Sequence, residues 1–137
     1  MKAWMVSALK RVMAGSALIL TMAAGLHSAP ALAHAMLVKA EPPRRAVLTL
    51  TPTQVRLWFN EEVEKDYAAL SVLDAESTPV TDAKPTIAPD DPRAIVLSLP
   101  KELAAGKYTV KFRVLSVDGH VVDSSYDFTV KSKAQAK

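Results

Sequence analysis

In the body of the chain the apolar residues recur at every second position, and that period constrains the fold more than any other feature. In QVRLWFN (54–60), Val55, Leu57 and Phe59 fall on one side and Gln54, Arg56 and Trp58 on the other. In KYTVKFRV (107–114), Tyr108, Val110, Phe112 and Val114 alternate with Lys107, Thr109, Lys111 and Arg113, and SYDFTV repeats the pattern with Tyr126, Phe128 and Val130. Successive side chains of a strand point to opposite faces, so each run offers one face to a core and one to water. AALSVL (68–73) and AIVLSL (94–99) are shorter apolar runs of strand-like composition. Between the runs lie Pro42-Pro43, Thr51-Pro52, Thr78-Pro79, the stretch KPTIAPDDP and Pro100. Strands at close spacing, broken by proline-rich turns, predict an all-β antiparallel sandwich or Greek-key barrel. PKELAAG (100–106) is a short helical candidate that Gly106 ends, or else a turn leading into the strand at 107. Phe59, Tyr108, Phe112, Tyr126 and Phe128 sit on inward phases and are read as core. Trp58 is out of phase with Phe59, and an edge, a loop or a surface role are all open to it.

The first 33 residues are of another kind. Lys2, Lys10 and Arg11 precede an apolar run, VMAGSALILTMAAGL (12–26), which a polar HSAP step joins to Ala31-Leu32-Ala33. Charged, apolar and A-x-A zones in that order are those of a secretory signal peptide. The apolar run, about 15 residues, is shorter than the roughly 20 that a spanning helix needs. Cleavage is expected after Ala33, with Ala31 the main competitor. The chain then divides into a signal peptide (1–33), one β domain (34–130) and a polar, frayed tail (131–137).

Removing the leader changes the charge balance. Three of the 17 basic residues leave with it and none of the 14 acids does, so the formal charge of +3 belongs to the precursor. A neutral body with no basic run longer than Arg44-Arg45 argues against nucleic-acid binding. The chain has no cysteine, which excludes a disulfide framework, zinc ribbons and blue-copper centres. Stability must come from an apolar core.

After residue 33 the sequence contains two histidines, His34 and His120, and one methionine, Met36. His120 lies in SVDGHVV (116–122), where Asp118-Gly119 is also a strong hairpin-turn signal. Cleavage after Ala33 makes His34 the new terminus. A terminal histidine chelates through its α-amine and Nδ1 in a six-membered ring without deprotonating a backbone nitrogen. With the His120 imidazole and an Asp118 oxygen it makes a three-nitrogen, one-oxygen set, which favours Cu(II), with Ni(II) next. Acid should weaken such a site toward pH of about 5–6, because protons compete for its nitrogens.

HAMLVKAEPP (34–43), VRLWFNEEV (55–63) and YTVKFRVLSVDGHVV with YDFTV (108–130) resemble the CopC family of periplasmic copper-resistance proteins over nearly all of residues 34 to 130. The resemblance implies an Ig-like or cupredoxin-like β domain binding one Cu(II) through His34, Asp118 and His120. Glu61 matches the family's acid after the middle strand, where it orders a water or a histidine ring; a plain solvated charge in the run Glu61-Glu62-Val63-Glu64 is the other reading. A CopD-type inner-membrane partner is implied too, together with a monomeric periplasmic carrier or buffer that is not an enzyme. The chain departs from the family in three places: a family glycine is Arg45 here, another near the final strand is Ser124, and the proline after the motif histidine is Val121. Some members carry a methionine-rich loop for Cu(I); LDAESTPVTDAKPTIAPDD (73–91) has no soft ligand, so no Cu(I) cluster is expected.

Two other functions compete. The histidine brace of copper-dependent polysaccharide monooxygenases also uses a terminal histidine, but about 100 residues leave little room for a substrate face, and an in-plane carboxylate blocks the position oxygen needs. A metal-free Ig-like adhesion or scaffold module makes both histidines incidental. No serine–histidine–acid set or phosphate-cradling glycine loop is more plausible than the metal site.

Overall fold

A computed structural model describes residues 35–132; the expected signal peptide (1–33), His34 and residues 133–137 lie outside the described residues. Each alternating run becomes a strand. The strands are β1 (Leu37–Glu41), β2 (Val47–Leu48), β3 (Gln54–Phe59), β4 (Ala69–Leu73), β5 (Thr86–Ala88), β6 (Asp91–Ser98), β7 (Gly106–Leu115) and β8 (Val121–Val130), with a 3-10 turn at Lys65–Tyr67. They form two four-stranded sheets, ordered β1-β3-β6-β5 and β2-β8-β7-β4. The short β2 runs parallel to β8; the other pairings are antiparallel. The domain is an all-β sandwich.

Its interior is the set that the period of two selects. Val55, Leu57, Phe59, Ile95 and Leu97 come from one sheet; Leu70, Val72, Tyr108, Val110, Phe112, Val114, Tyr126, Phe128 and Val130 come from the other, and together they form one buried cluster. Phe59 meets Phe112 across the sheets edge to face, with centroids 5.8 Å apart, and Tyr108 stacks on Phe128 at 5.4 Å. Such pairs add about 0.5–1.5 kcal/mol beyond their burial.

Of the two readings of PKELAAG, helix or turn, the structure has the turn: it bends into β7, and the Tyr108 hydroxyl donates to the Ala104 carbonyl at 2.5 Å. One stretch departs from expectation. KPTIAPDDP, read as a turn, instead supplies β5 and the start of β6, with the reversal confined to Pro89-Asp90. The prolines survive because Pro85 and Pro89 flank an edge strand and Pro92 falls where the β5–β6 register shifts, the positions at which a missing N–H is tolerated.

Trp58 finds its place on the outer face of its sheet. It is paired directly with Ala94 of β6 and Lys39 of β1, and directly opposed residues share a face. Lys39 Nζ lies 4.3 Å from the ring centre and Arg56 Cζ 4.6 Å, so two cations enclose the indole while Ala94 is fully buried.

Candidate metal centre

β7 and β8 pair in register up to Leu115↔Val121, which leaves residues 116–120 as the connecting turn. Ser116 N donates to the His120 carbonyl at 2.9 Å, and Gly119 N to the Ser116 carbonyl at 2.9 Å. Gly119 has φ of 91°, a conformation that glycine alone adopts without cost. The D-G-H segment is therefore a real hairpin turn. Its tightness also brings residues 118 and 120 together: His120 Nδ1 lies 3.1 Å from Asp118 Oδ1, with both side chains partly exposed.

Ser116 organises this pair, and the reading of the sequence did not single it out. It is fully buried; its hydroxyl donates to Asp118 Oδ1 and accepts from His120 N at 3.2 Å. The Asp118 carboxyl is held below the ordinary carboxylate range, first by that Ser116 hydroxyl and then by His120, against the opposing effect of desolvation. Asp118 is thus kept anionic, as a metal ligand must be. The S-x-D-G-H spacing was the available signal, since a serine hydroxyl two residues before an aspartate readily closes a local hydrogen bond.

The chain's start is brought to the same end of the sandwich. Ala35 is buried in the core, Met36 N donates to Asn60 Oδ1 at 2.6 Å, and Asn60 N donates to the Met36 carbonyl at 3.0 Å. The register shifts between Leu37 and Lys39, and Leu37 still pairs with Phe59. Three residues after Asn60, Val63 bridges to Ser116, and Glu64 N donates to the Leu115 carbonyl at 2.8 Å. Three extended residues span at most about 10 Å, so Asn60, paired with Met36, lies within that length of chain of the residue that bridges to Ser116. Asn60, which nothing in the sequence marked out, makes the join.

Glu61 lies within that connecting segment. It is half-buried, and its Oε1 has no hydrogen-bond partner among the described residues. A buried carboxylate oxygen without a donor is costly. Among the described residues no three His, Asp or Glu side chains converge as a metal cage. Asp118 and His120 are the two expected ligands that the described residues bring together, and His34 lies immediately outside the described residues. No helix of the described residues is long and apolar enough to cross a membrane.

Comparison with known proteins identifies the family. The structure titled CopC from Methylosinus trichosporium OB3b superposes with a TM-score of 0.66 at 42% identity, covering 72% of this chain and 94% of that one. PcoC of Escherichia coli, titled a methionine-rich copper resistance protein, gives 0.62 at 30%, covering 72% and 100%. The copper transport protein CutJ of Bacillus subtilis (strain 168) is 31% identical over 98 residues, which is 72% of this chain but 18% of CutJ. The chain thus matches less than a fifth of that relative's length. The model of the CopC domain matches residues 37–131, a span that holds both sheets, Asn60 and the D-G-H turn: the chain belongs to the CopC family.

Proposed function

We propose that the chain is exported, loses residues 1–33 and serves as a periplasmic Cu(II) carrier or buffer in copper resistance, without catalytic turnover. One Cu(II) is held by the α-amine and imidazole of His34, a carboxylate oxygen of Asp118 and the imidazole of His120. Glu61 directs its unsatisfied oxygen to a copper-bound water or to a ligand N–H, holding that group in orientation. Nitrogen-rich sets with one carboxylate suit Cu(II) over softer ions, and a body with Met36 as its one methionine does not offer a thioether cluster for Cu(I). The polar tail, 131–137, takes no part.

The observation that carries this reading is the double hydrogen bond between Asn60 and Met36, next to the Val63–Ser116 bridge. Ala35, the first described residue, is buried in the core beside this join. The titles of PcoC and CutJ, copper resistance and copper transport, support copper as the ion. The reading includes a monomer that hands copper to a separate CopD-type membrane partner.

Intact-mass measurement of the exported protein, with and without Cu(II), tests the whole reading. The expected result is a chain beginning at His34 that gains one copper. A protein that begins elsewhere and binds copper as tightly, or one that begins at His34 and binds none, overturns it.

A further inference from the structure

A cleft of about 620 Å³ opens along the free edge of β4, between Ala68–Ser71 on one side and Ala83–Pro85 on the other. β4 and β5 are the last strands of their sheets. The far half of the β4 edge is closed by its own chain: Val80 N donates to the Val72 carbonyl at 2.9 Å, and Asp74 N to the Thr78 carbonyl at 2.9 Å. In an antiparallel ladder alternate residues turn both backbone groups to the same side. Leu70 therefore presents its N–H and C=O on the same edge as Val72, into the cleft, where no strand among the described residues pairs with it.

Charge marks the cleft as well. Lys65, Lys84, Lys111 and Arg113 line it, against Asp66 and Asp123. None of the four cations has an ion-pair partner among the described residues. Arg113 and Lys111 stand opposite Ala69 and Ser71 in the β4–β7 register, small residues over which long side chains reach beyond the edge. Their two-residue separation, about 6.6 Å along a strand, matches carboxylates at alternate positions of an added strand.

We propose that this cleft receives an extended acidic segment of a partner protein. The segment pairs its backbone with Leu70 as an additional strand of the sheet, and alternate carboxylates meet Lys111 and Arg113 while Lys65 and Lys84 close on it from the rim. A second copy of this chain is a poor occupant, because it brings the same excess of cations to the same edge. This surface is separate from the copper ligands.

The probe is the heptapeptide acetyl-Val-Glu-Val-Glu-Val-Glu-Val-amide, titrated into ¹⁵N-labelled protein beginning at His34. Expected are amide shift changes confined to residues 65–71, 83–84 and 111–113, with new exchange protection at Leu70 N–H. Binding should weaken at least tenfold in the double variant K84E/K111E, which keeps its copper affinity and Tm. The same peptide N-methylated at its valines, and one with lysine for glutamate, should not bind. Equal binding of the N-methylated peptide means ion pairing without strand addition and overturns the proposal. So do an absence of binding, shift changes elsewhere, or self-association through β4 in place of peptide binding.

Discussion

At the end of the sandwich where β8 finishes, Asp127 has both carboxylate oxygens engaged: Thr109 Oγ1 donates to Oδ1 at 2.9 Å and Lys107 Nζ lies 2.9 Å from Oδ2. At the opposite end Asp118 receives Ser116, the His120 N–H and the His120 ring all on Oδ1, and its Oδ2 takes none of the described residues. Both carboxyls are held below the usual range, Asp127 first by Lys107 and Asp118 first by Ser116. The first is spent on the fold. The second is oriented by the fold and keeps an oxygen in reserve. The tyrosines follow the same division, since Tyr108 and Tyr126 both close backbone carbonyls at the Asp127 end. The proposed binding chemistry and the structural polar chemistry thus occupy opposite ends of one β7–β8 ribbon.

The largest expected break in that contrast comes from His120→Ala. It should lower Cu(II) affinity about 1,000-fold, or roughly 4 kcal/mol, while the stability of the metal-free protein stays within about 0.5 kcal/mol, as for exposed sites away from the core. Competition titration against a chelator, together with thermal unfolding, measures the two separately. Ser116→Ala is the sharper probe. It leaves every proposed ligand in place but frees Asp118, so affinity should fall about 10- to 100-fold, the usual cost of losing a group that orients a ligand. If Ser116→Ala leaves affinity unchanged, Asp118 is not held in place by this hydroxyl.

The strands and the inward aromatics were legible because period-two alternation is local information, carried by neighbours such as Tyr108, Val110 and Phe112. Asp118 and His120 were legible for the same reason, two residues apart in a turn that glycine marks. The Asn60–Met36 join was not, because it links positions 24 residues apart through a polar side chain that has no periodic signature. Trp58 was undecidable because its position depends on Lys39 of a different strand. β5 was hidden by its prolines, which mark a turn unless the strand is known to be an edge.

A smaller effect is expected at the other end. Tyr126 is buried, and its hydroxyl donates to the Pro42 carbonyl at 2.9 Å. Tyr126→Phe leaves that carbonyl without a donor and should cost about 1 kcal/mol with copper affinity unchanged. Burial raises the Tyr126 pKa well above its ordinary value of 10.0. The unfolded chain therefore ionises first as pH rises. The neutral hydroxyl's contribution is fully present below about pH 10 and is lost as pH climbs from there toward the folded-state pKa. Urea unfolding between pH 8 and 11 should show a steeper alkaline decline in the native protein than in Tyr126→Phe. Parallel curves mean that Tyr126 does not set that limb.

The smallest expected change is a gain. Arg45 has φ of 60°, and its N–H donates to the Asp127 carbonyl at 2.7 Å, which anchors the turn between β1 and β2 to β8. The hydrogen bond requires the left-handed backbone, and a residue with a Cβ adopts that conformation at a cost of about 1–2 kcal/mol. The arginine therefore stands at a position whose geometry suits glycine, the residue that the family pattern carries there. Arg45→Gly keeps the N–H and removes the Cβ clash, while the greater freedom of glycine in the unfolded chain returns up to about 1 kcal/mol of that relief. The net expectation is a stabilisation of about 0.5 kcal/mol, read as a higher urea midpoint at unchanged m-value, with Cu(II) affinity untouched because the change lies at the Asp127 end. A fall in the midpoint means that the Arg45 side chain contributes more to this turn than its backbone costs, and a change in copper affinity means that the two ends of the β7–β8 ribbon are coupled.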